Sequence, residues 1–164
     1  MRLWHKALIP YLPKQQLLGQ WRELNSIYKR QNRHILINFI YDYDPVMLYY
    51  YSKLVINEMD KRQYKINLNN FIEYFKIKDI NNLLFDLKDV EYNIDEIYKD
   101  KMDDRYLKQN LYNLQEKYDC GGISEDDWDK IFCQFGEFFN EEVIVYESNT
   151  YDDVDLWSTL FDRL

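Results

Sequence analysis

Behind a proline at position 13, Leu17, Trp21, Leu24 and Tyr28 recur at i, i+4, i+7 and i+11, which commits the start of the chain to an amphipathic helix. The opposite side of that helix collects Gln15, Arg22, Ser26 and Lys29, so one face is apolar, the other is basic, and the helix runs to about Arg30. Pro10 and Pro13 punctuate an extended entry. Pro13 suits a first helical turn because its missing N–H has no partner to lose there. Glu23 falls on the boundary between the two faces, with Gly19 one turn before it and Ile27 one turn after. A glycine inside a helix costs about 1 kcal/mol relative to alanine, so Gly19 implies an opening beside the carboxylate into which something packs closely. A carboxylate bordered by a gap and a basic face is a candidate site. The plainer alternative is that Glu23 balances Arg22, Lys29 and Arg30 on a solvated surface.

Further along, residues 34–41 are β-branched and aromatic and read as extended. Asp44-Pro45 reads as an N-cap followed by a first helical residue, opening a helix to about Tyr64 with Leu48, Leu54, Val55, Ile56 and Met59 among its apolar positions. Residues 69–76, 79–88, 103–118 and 124–139 also read as helical. Ser124 with Asp127 three residues on resembles a capping box with Asp in place of the usual Glu. Residues 142–147 suit a strand and 154–164 a last amphipathic helix. Internal repeats and Gly/Ser-rich linkers are absent from the sequence. The expected fold is mainly α: a single compact helical domain with its N-terminal segment packed against the first long helix. Residues 1–118 form its body, and 119–164 an acidic helical extension packed on the same core.

With 46% hydrophobic residues, 16 Tyr and 9 Phe in 164 positions, the chain has the means to bury a core despite its charge. It opens on no apolar run of signal-peptide type and contains no stretch of membrane-spanning length, so a soluble, intracellular (cytoplasmic) protein without membrane association is expected. Cys120 and Cys133 lie outside any CxxC or Cys/His ligand spacing, which argues against a disulfide framework or zinc site and leaves both as expected buried thiols. A net charge of −8 is unfavourable for a polyanion partner, but the charge is polarised. The first forty residues carry seven basic side chains against Glu23 alone, whereas from Asp119 onward thirteen acids face Lys130 and Arg163.

The run Met1-Arg2-Leu3-Trp4-His5, followed by Leu12-Pro13-Lys14-Gln15-Gln16-Leu17-Leu18-Gly19-Gln20-Trp21-Arg22-Glu23-Leu24, resembles the pyrimidine-dimer DNA glycosylase/AP lyase family. Arg33-His34 matches the basic-residue-plus-His step after that family's first helix, and Leu54-Val55-Ile56-Asn57-Glu58-Met59-Asp60-Lys61-Arg62 is similar to its second conserved helix. Asp103-Asp104-Arg105-Tyr106-Leu107 resembles a later segment of the family's bacterial branch. The resemblance implies a DNA repair enzyme whose nucleophile is the N-terminal α-amine. Here that is the amine of Met1, because Arg2 is too large for ordinary Met removal. The amine attacks C1′ at a damaged pyrimidine, forms an imine (a Schiff base) and allows β-elimination. Glu23 takes the carboxylate position that stabilises the cationic sugar and shuttles protons. Arg2, Lys14, Arg22, Lys29, Arg30, Arg33 and His34 take DNA-binding positions on damaged double-stranded DNA. Neither a metal nor an organic cofactor is implied. The chain departs from the pattern at Gln16, where a His is usual, and at Ser26, where an Arg is usual. An acidic extension replaces the family's aromatic, basic tail.

The same residues leave other readings open. One is a non-catalytic interaction protein on the same fold, binding a basic partner through the acidic C-terminal region. Another is that this region folds over the basic helix and inhibits it. Tyr49, Tyr50 and Tyr51 read as core and boundary packing ahead of a base-stacking platform. His34 reads either as a phosphate contact or as a cap, and His5 stands evenly between a functional and a structural role. The stretch from Asp119 to Ser124 lacks the alternating oxygen ligands of a calcium loop and reads as a loop before a helix start.

Overall fold

The computed structural model describes residues 2–29, 34–76 and 93–139. The expected helix at 79–88, the strand at 142–147 and the last helix at 154–164 lie outside these residues. The described chain is mainly helical and contains no strand. The chain divides into two units, Met1–Gln134 and Phe135–Leu164. In the second, the described residues begin with Phe135 and continue into the 3-10 turn Gly136–Phe139, where Phe135 and Phe138 approach with ring centroids 6.4 Å apart.

In the first unit, a 3-10 turn at Lys6–Tyr11 leads into helix α1, Lys14–Lys29. Pro13 stands just before the helix, and its carbonyl accepts the N–H of Leu17 at 3.0 Å, so the residue without a donor sits where none is needed. The predicted stripe of Leu17, Trp21, Leu24 and Tyr28 is buried, as are Ile27 and Gln20. This face packs on α2, Pro45–Lys61, and α3, Asn69–Phe75. As expected from Asp44-Pro45, the Asp44 carboxylate caps α2 by accepting the Val46 N–H at 2.9 Å. An aromatic cluster fills the junction of the three helices. Tyr28 meets the edges of Phe71 and Phe75, Tyr49 stacks on Phe71, and the buried Tyr28 hydroxyl donates to Ser52 Oγ at 2.6 Å. Tyr51 is fully buried, while Tyr49 and Tyr50 are half-buried with their rings 5.6 Å apart.

Residues 34–41 differ from expectation. They form a turn followed by a 3-10 helix at Asn38–Asp42. The His34 carbonyl accepts both the Ile37 and the Asn38 N–H, which closes the backbone on itself and leaves no edge for strand pairing. The β-branched Ile37 and Ile40 are buried one turn apart, as a 3-10 period requires. Helix α2 stops at Lys61, short of Tyr64, because Gln63 adopts φ 60°. The Gln63 N–H then returns to Asp60 O and the Tyr64 N–H to Met59 O, the paired bonds of a Schellman end.

Helix α4, Asp104–Asp119, is capped by Asp103, whose carboxylate accepts the Tyr106 N–H at 2.8 Å. It ends in the same Schellman motif, with Gly121 at φ 74° and Gly122 N donating to Lys117 O. Helix α5, Glu125–Phe135, starts behind Ser124, whose Oγ accepts the Asp127 N–H at 3.3 Å, as the capping pattern foresees. Both cysteines are exposed, against expectation. Cys133 lies on the side of α5 away from the buried Trp128 and Ile131, and Cys120 is the C-cap of α4, so neither position faces a core. No helix among the described residues is long and apolar enough to cross a membrane.

Candidate functional site

Residues 2–5 lie outside any helix or strand, so their backbone groups need other partners. They find them on three helices. On the α1 side, Arg2 N–H donates to Glu23 Oε2 at 2.9 Å and Trp4 N–H donates to Gln20 Oε1 at 2.8 Å. The Trp4 carbonyl accepts the Tyr51 hydroxyl of α2 at 2.7 Å, and the same hydroxyl lies 3.1 Å from Gln20 Oε1. On the α4 side, the Leu3 carbonyl accepts the Tyr106 hydroxyl, and His5 N–H donates to Asn110 Oδ1 at 3.1 Å. The N-terminal segment is therefore packed against the first long helix, as expected, with Glu23 at its outer end.

Each of these side chains is placed by its helix. Gln16, Gln20 and Glu23 fall on one line of α1 at i, i+4 and i+7, so a single stripe faces the extended segment. Gln20 is 1% exposed, and among the described residues neither its Nε2 nor the buried Gln16 Oε1 has a hydrogen-bond partner, which points to hydration or a ligand on this stripe. Burial pushes the Tyr51 phenol well above its ordinary range, with the charge of Glu23 adding to the effect. Tyr106 is raised mainly by burial, lowered by Arg2 and by Asn110, and raised again by Glu23, which places its ring within the field of both charged residues. These phenols remain neutral donors.

His5 caps the 3-10 turn through Nδ1, which accepts Ala7 N–H at 3.1 Å, so Nε2 carries the proton and donates to Met102 O at 2.8 Å. Burial holds its pKa below the usual histidine value, the neighbouring Lys6 adds to this, and the Met102 carbonyl, Asp104 and Asp103 oppose it. His5 is thus a structural cap. Lys6 is also committed to the fold: its buried ammonium donates to the Asp95 and Ile97 carbonyls at 2.6 and 2.9 Å, which removes it from the basic surface.

The outer face of α1 runs from Glu23 through Gly19, Ser26 and Arg22 to Lys29. A Cβ placed on Gly19 would meet nothing closer than Arg22 Nη2 at 4.0 Å, so the opening inferred beside the carboxylate exists and no packing contact requires the glycine. Beyond it lies an open groove of about 670 Å³ lined by Trp21, Arg22, Asn25, Ser26, Lys29 and Asn67. Asn25 is held there by donating to Trp21 O and accepting from Asn70 Nδ2. Among the described residues, neither Arg22 nor Lys29 is engaged in an ion pair.

The structure brings Arg2, Glu23, Arg22 and Lys29 onto one side of α1. Lys14 is elsewhere: its ammonium sits 5.5 Å from the Tyr64 ring centroid and lines a separate cleft with Arg62, Glu58 and Lys130. His34 is half-buried, and its Nδ1 accepts Leu36 N–H at 3.3 Å, capping the turn that follows it. Met1, Arg30 and Arg33 lie outside the described residues. Sequence reasoning missed Gln20, Tyr51, Tyr106 and Asn110, which hold the extended segment. The signals available were the i, i+4, i+7 line of Gln16, Gln20 and Glu23 and the family-like segment that holds Tyr106.

Residues 1–71 match the family model described as pyrimidine dimer DNA glycosylase. The match covers the extended segment, all of α1 and α2, and the start of α3, and it supports the resemblance carried by Met1 to Leu24. No curated protein and no solved structure matches the chain.

Proposed function

We propose that this protein is a DNA glycosylase with AP lyase activity, acting on damaged pyrimidines in double-stranded DNA through the α-amine of Met1. The observation that carries the reading is the 2.9 Å bond between Arg2 N and Glu23 Oε2, because Arg2 N is the atom to which Met1 is joined. The family match over residues 1–71 supports the substrate class. An α-amine has an ordinary pKa near ~8, against ~10.4 for Lys, so part of it is neutral and nucleophilic at physiological pH.

In this reading the neutral amine adds to C1′ and the damaged base departs, leaving a protonated imine on the opened sugar. Glu23 stabilises the cationic centre and carries protons between amine, ring oxygen and C2′. Loss of the C2′ proton expels the 3′ phosphate, and water then hydrolyses the imine to restore the amine. Arg22 and Lys29 contact phosphates beside the lesion, and the gap at Gly19 admits the sugar-phosphate backbone. No metal or organic cofactor enters any step.

Borohydride reduction on abasic-site DNA tests the proposal. The unblocked protein should give a stable covalent adduct, an N-terminally acetylated form should not, and Glu23→Gln should form it at least about a hundredfold more slowly. Absence of an adduct with the unblocked protein would remove the enzymatic reading. Salt-sensitive binding to a basic protein with no DNA affinity at low salt would replace it with the interaction-protein alternative.

A further inference from the structure

An extended strand points alternate backbone groups to opposite sides, and residues 2–5 use both. Arg2 N, Trp4 N and Trp4 O face Glu23, Gln20 and Tyr51 of α1 and α2, inside the matched residues. Leu3 O and His5 N face Tyr106 and Asn110 of α4, which lies beyond residue 71. The Asn110 carboxamide is itself oriented, because its Nδ2 donates to Tyr106 O at 2.6 Å. The His5 ring donates to Met102 O, immediately before the α4 cap. The segment is thus bonded on two sides by side chains in place of a sheet. A slip of one residue would turn every one of these groups to the wrong side.

We propose that Tyr106 and Asn110 are positioning residues that set the register in which the Arg2 nitrogen meets Glu23, making α4 an integral part of the proposed catalytic unit. The inference rests on the α-amine reading above. Without the Tyr106 hydroxyl, the buried Leu3 carbonyl has no described partner, and the outer edge of the strand is held at His5 alone. Arg22 and Lys29, the proposed phosphate contacts, line a groove that includes neither Tyr106 nor Asn110, so their grip on DNA should be untouched by this change.

The test is Tyr106→Phe in the full chain, with Tyr112→Phe, exposed on the same helix, as control. Single-turnover adduct formation on abasic-site DNA at saturating protein should slow by at least about tenfold, since reacting groups displaced by less than an ångström lose rate steeply. The Kd for DNA should stay within about twofold, because the Arg22 and Lys29 contacts are elsewhere and the Arg2 charge is kept. Amide exchange at Trp4 should accelerate by at least about tenfold while Val55 in α2 stays unchanged, the mark of a local opening. Wild-type rates for both adduct and Trp4 exchange would overturn the proposal, as would equal acceleration at Val55, which means general loosening. Should the wild-type protein form no adduct, the enzymatic reading fails, and the Trp4 exchange rate alone decides whether Tyr106 sets the register. Asn110→Leu should repeat the Tyr106→Phe pattern at His5.

Discussion

Helices α1 and α5 are both amphipathic and both charged, yet their charges have different kinds of explanation. In α5, Glu125, Asp126 and Asp127 occupy the first turn, where the positive end of the helix dipole favours anions, and Lys130 pairs with Asp127 at 3.3 Å. Local rules account for these four, and Asp129 is an exposed acid. In α1 the first turn has no acid, and Lys14 occupies the end that disfavours a cation. Arg22 sits exposed in mid-helix, and Glu23 bonds to a backbone nitrogen 21 residues away. Lys29 in the last turn follows the dipole rule, but Lys14, Arg22 and Glu23 carry charge that local helix physics does not call for, which is why the proposed site is set on α1.

The largest expected effect breaks that comparison if it fails. Glu23→Gln keeps a carbonyl oxygen to accept the Arg2 N–H but removes the negative charge, so adduct formation should fall by about a hundredfold or more with little change in melting temperature. Asp126→Asn in α5 should leave adduct formation unchanged within about twofold, as expected for a solvated acid. Equal sensitivity at both positions would show that acidity in general, and not the placed carboxylate, matters. Next in size, Arg22→Ala or Lys29→Ala should each weaken DNA binding by several-fold and flatten the salt dependence by about one unit of slope, the signature of one lost phosphate contact. Lys14→Ala sharpens this: from a separate cleft, it should leave the slope intact.

What could be read in advance follows the same division. The stripe of α1, the Asp44-Pro45 start of α2 and the Ser124 cap of α5 depend on neighbours within one or two turns, and the sequence displays them. The two Schellman ends show the limit. At α4 the turn falls on Gly121, a residue suited to φ 74°, whereas at α2 it falls on Gln63 at φ 60°. There the geometry is imposed from outside, by Arg62 reaching the Leu12 and Pro10 carbonyls at 2.7 and 2.8 Å while bonding Glu58 at 2.6 Å. The hydrogen bonds that fix residues 2–5 were equally hidden, since Tyr106 and Asn110 lie over a hundred positions away and carry no periodic mark. Residues 34–41 misled because β-branched side chains at 37 and 40 serve a 3-10 core contact as well as a strand.

Gly19→Ala separates the two explanations within α1 itself. A methyl group there meets ordinary van der Waals space, so the gain in helix propensity should stabilise the fold by up to about 1 kcal/mol. If the gap admits the DNA backbone, affinity for abasic-site DNA should fall in the same variant, giving opposite signs in melting temperature and binding. A rise in stability with unchanged binding would make the glycine incidental and weaken the site assigned beside Glu23.

The smallest effect concerns pH. His5 is held below its ordinary pKa by burial, so the unfolded chain takes up a proton at higher pH than the folded one. The stability contributed by the neutral ring is fully present above the unfolded value near ~6.5 and is lost as pH falls through the depressed folded value. Protonated Nδ1 can no longer accept the Ala7 N–H, and the turn that leads the extended segment into α1 loses its cap. Urea denaturation at pH 7.5 and 5.5 should therefore show an acid loss in wild type that is smaller in His5→Asn, whose carboxamide caps without titrating. All other titratable groups are common to both proteins and cancel in the difference. Parallel losses in the two would leave the N-terminal segment insensitive to protonation.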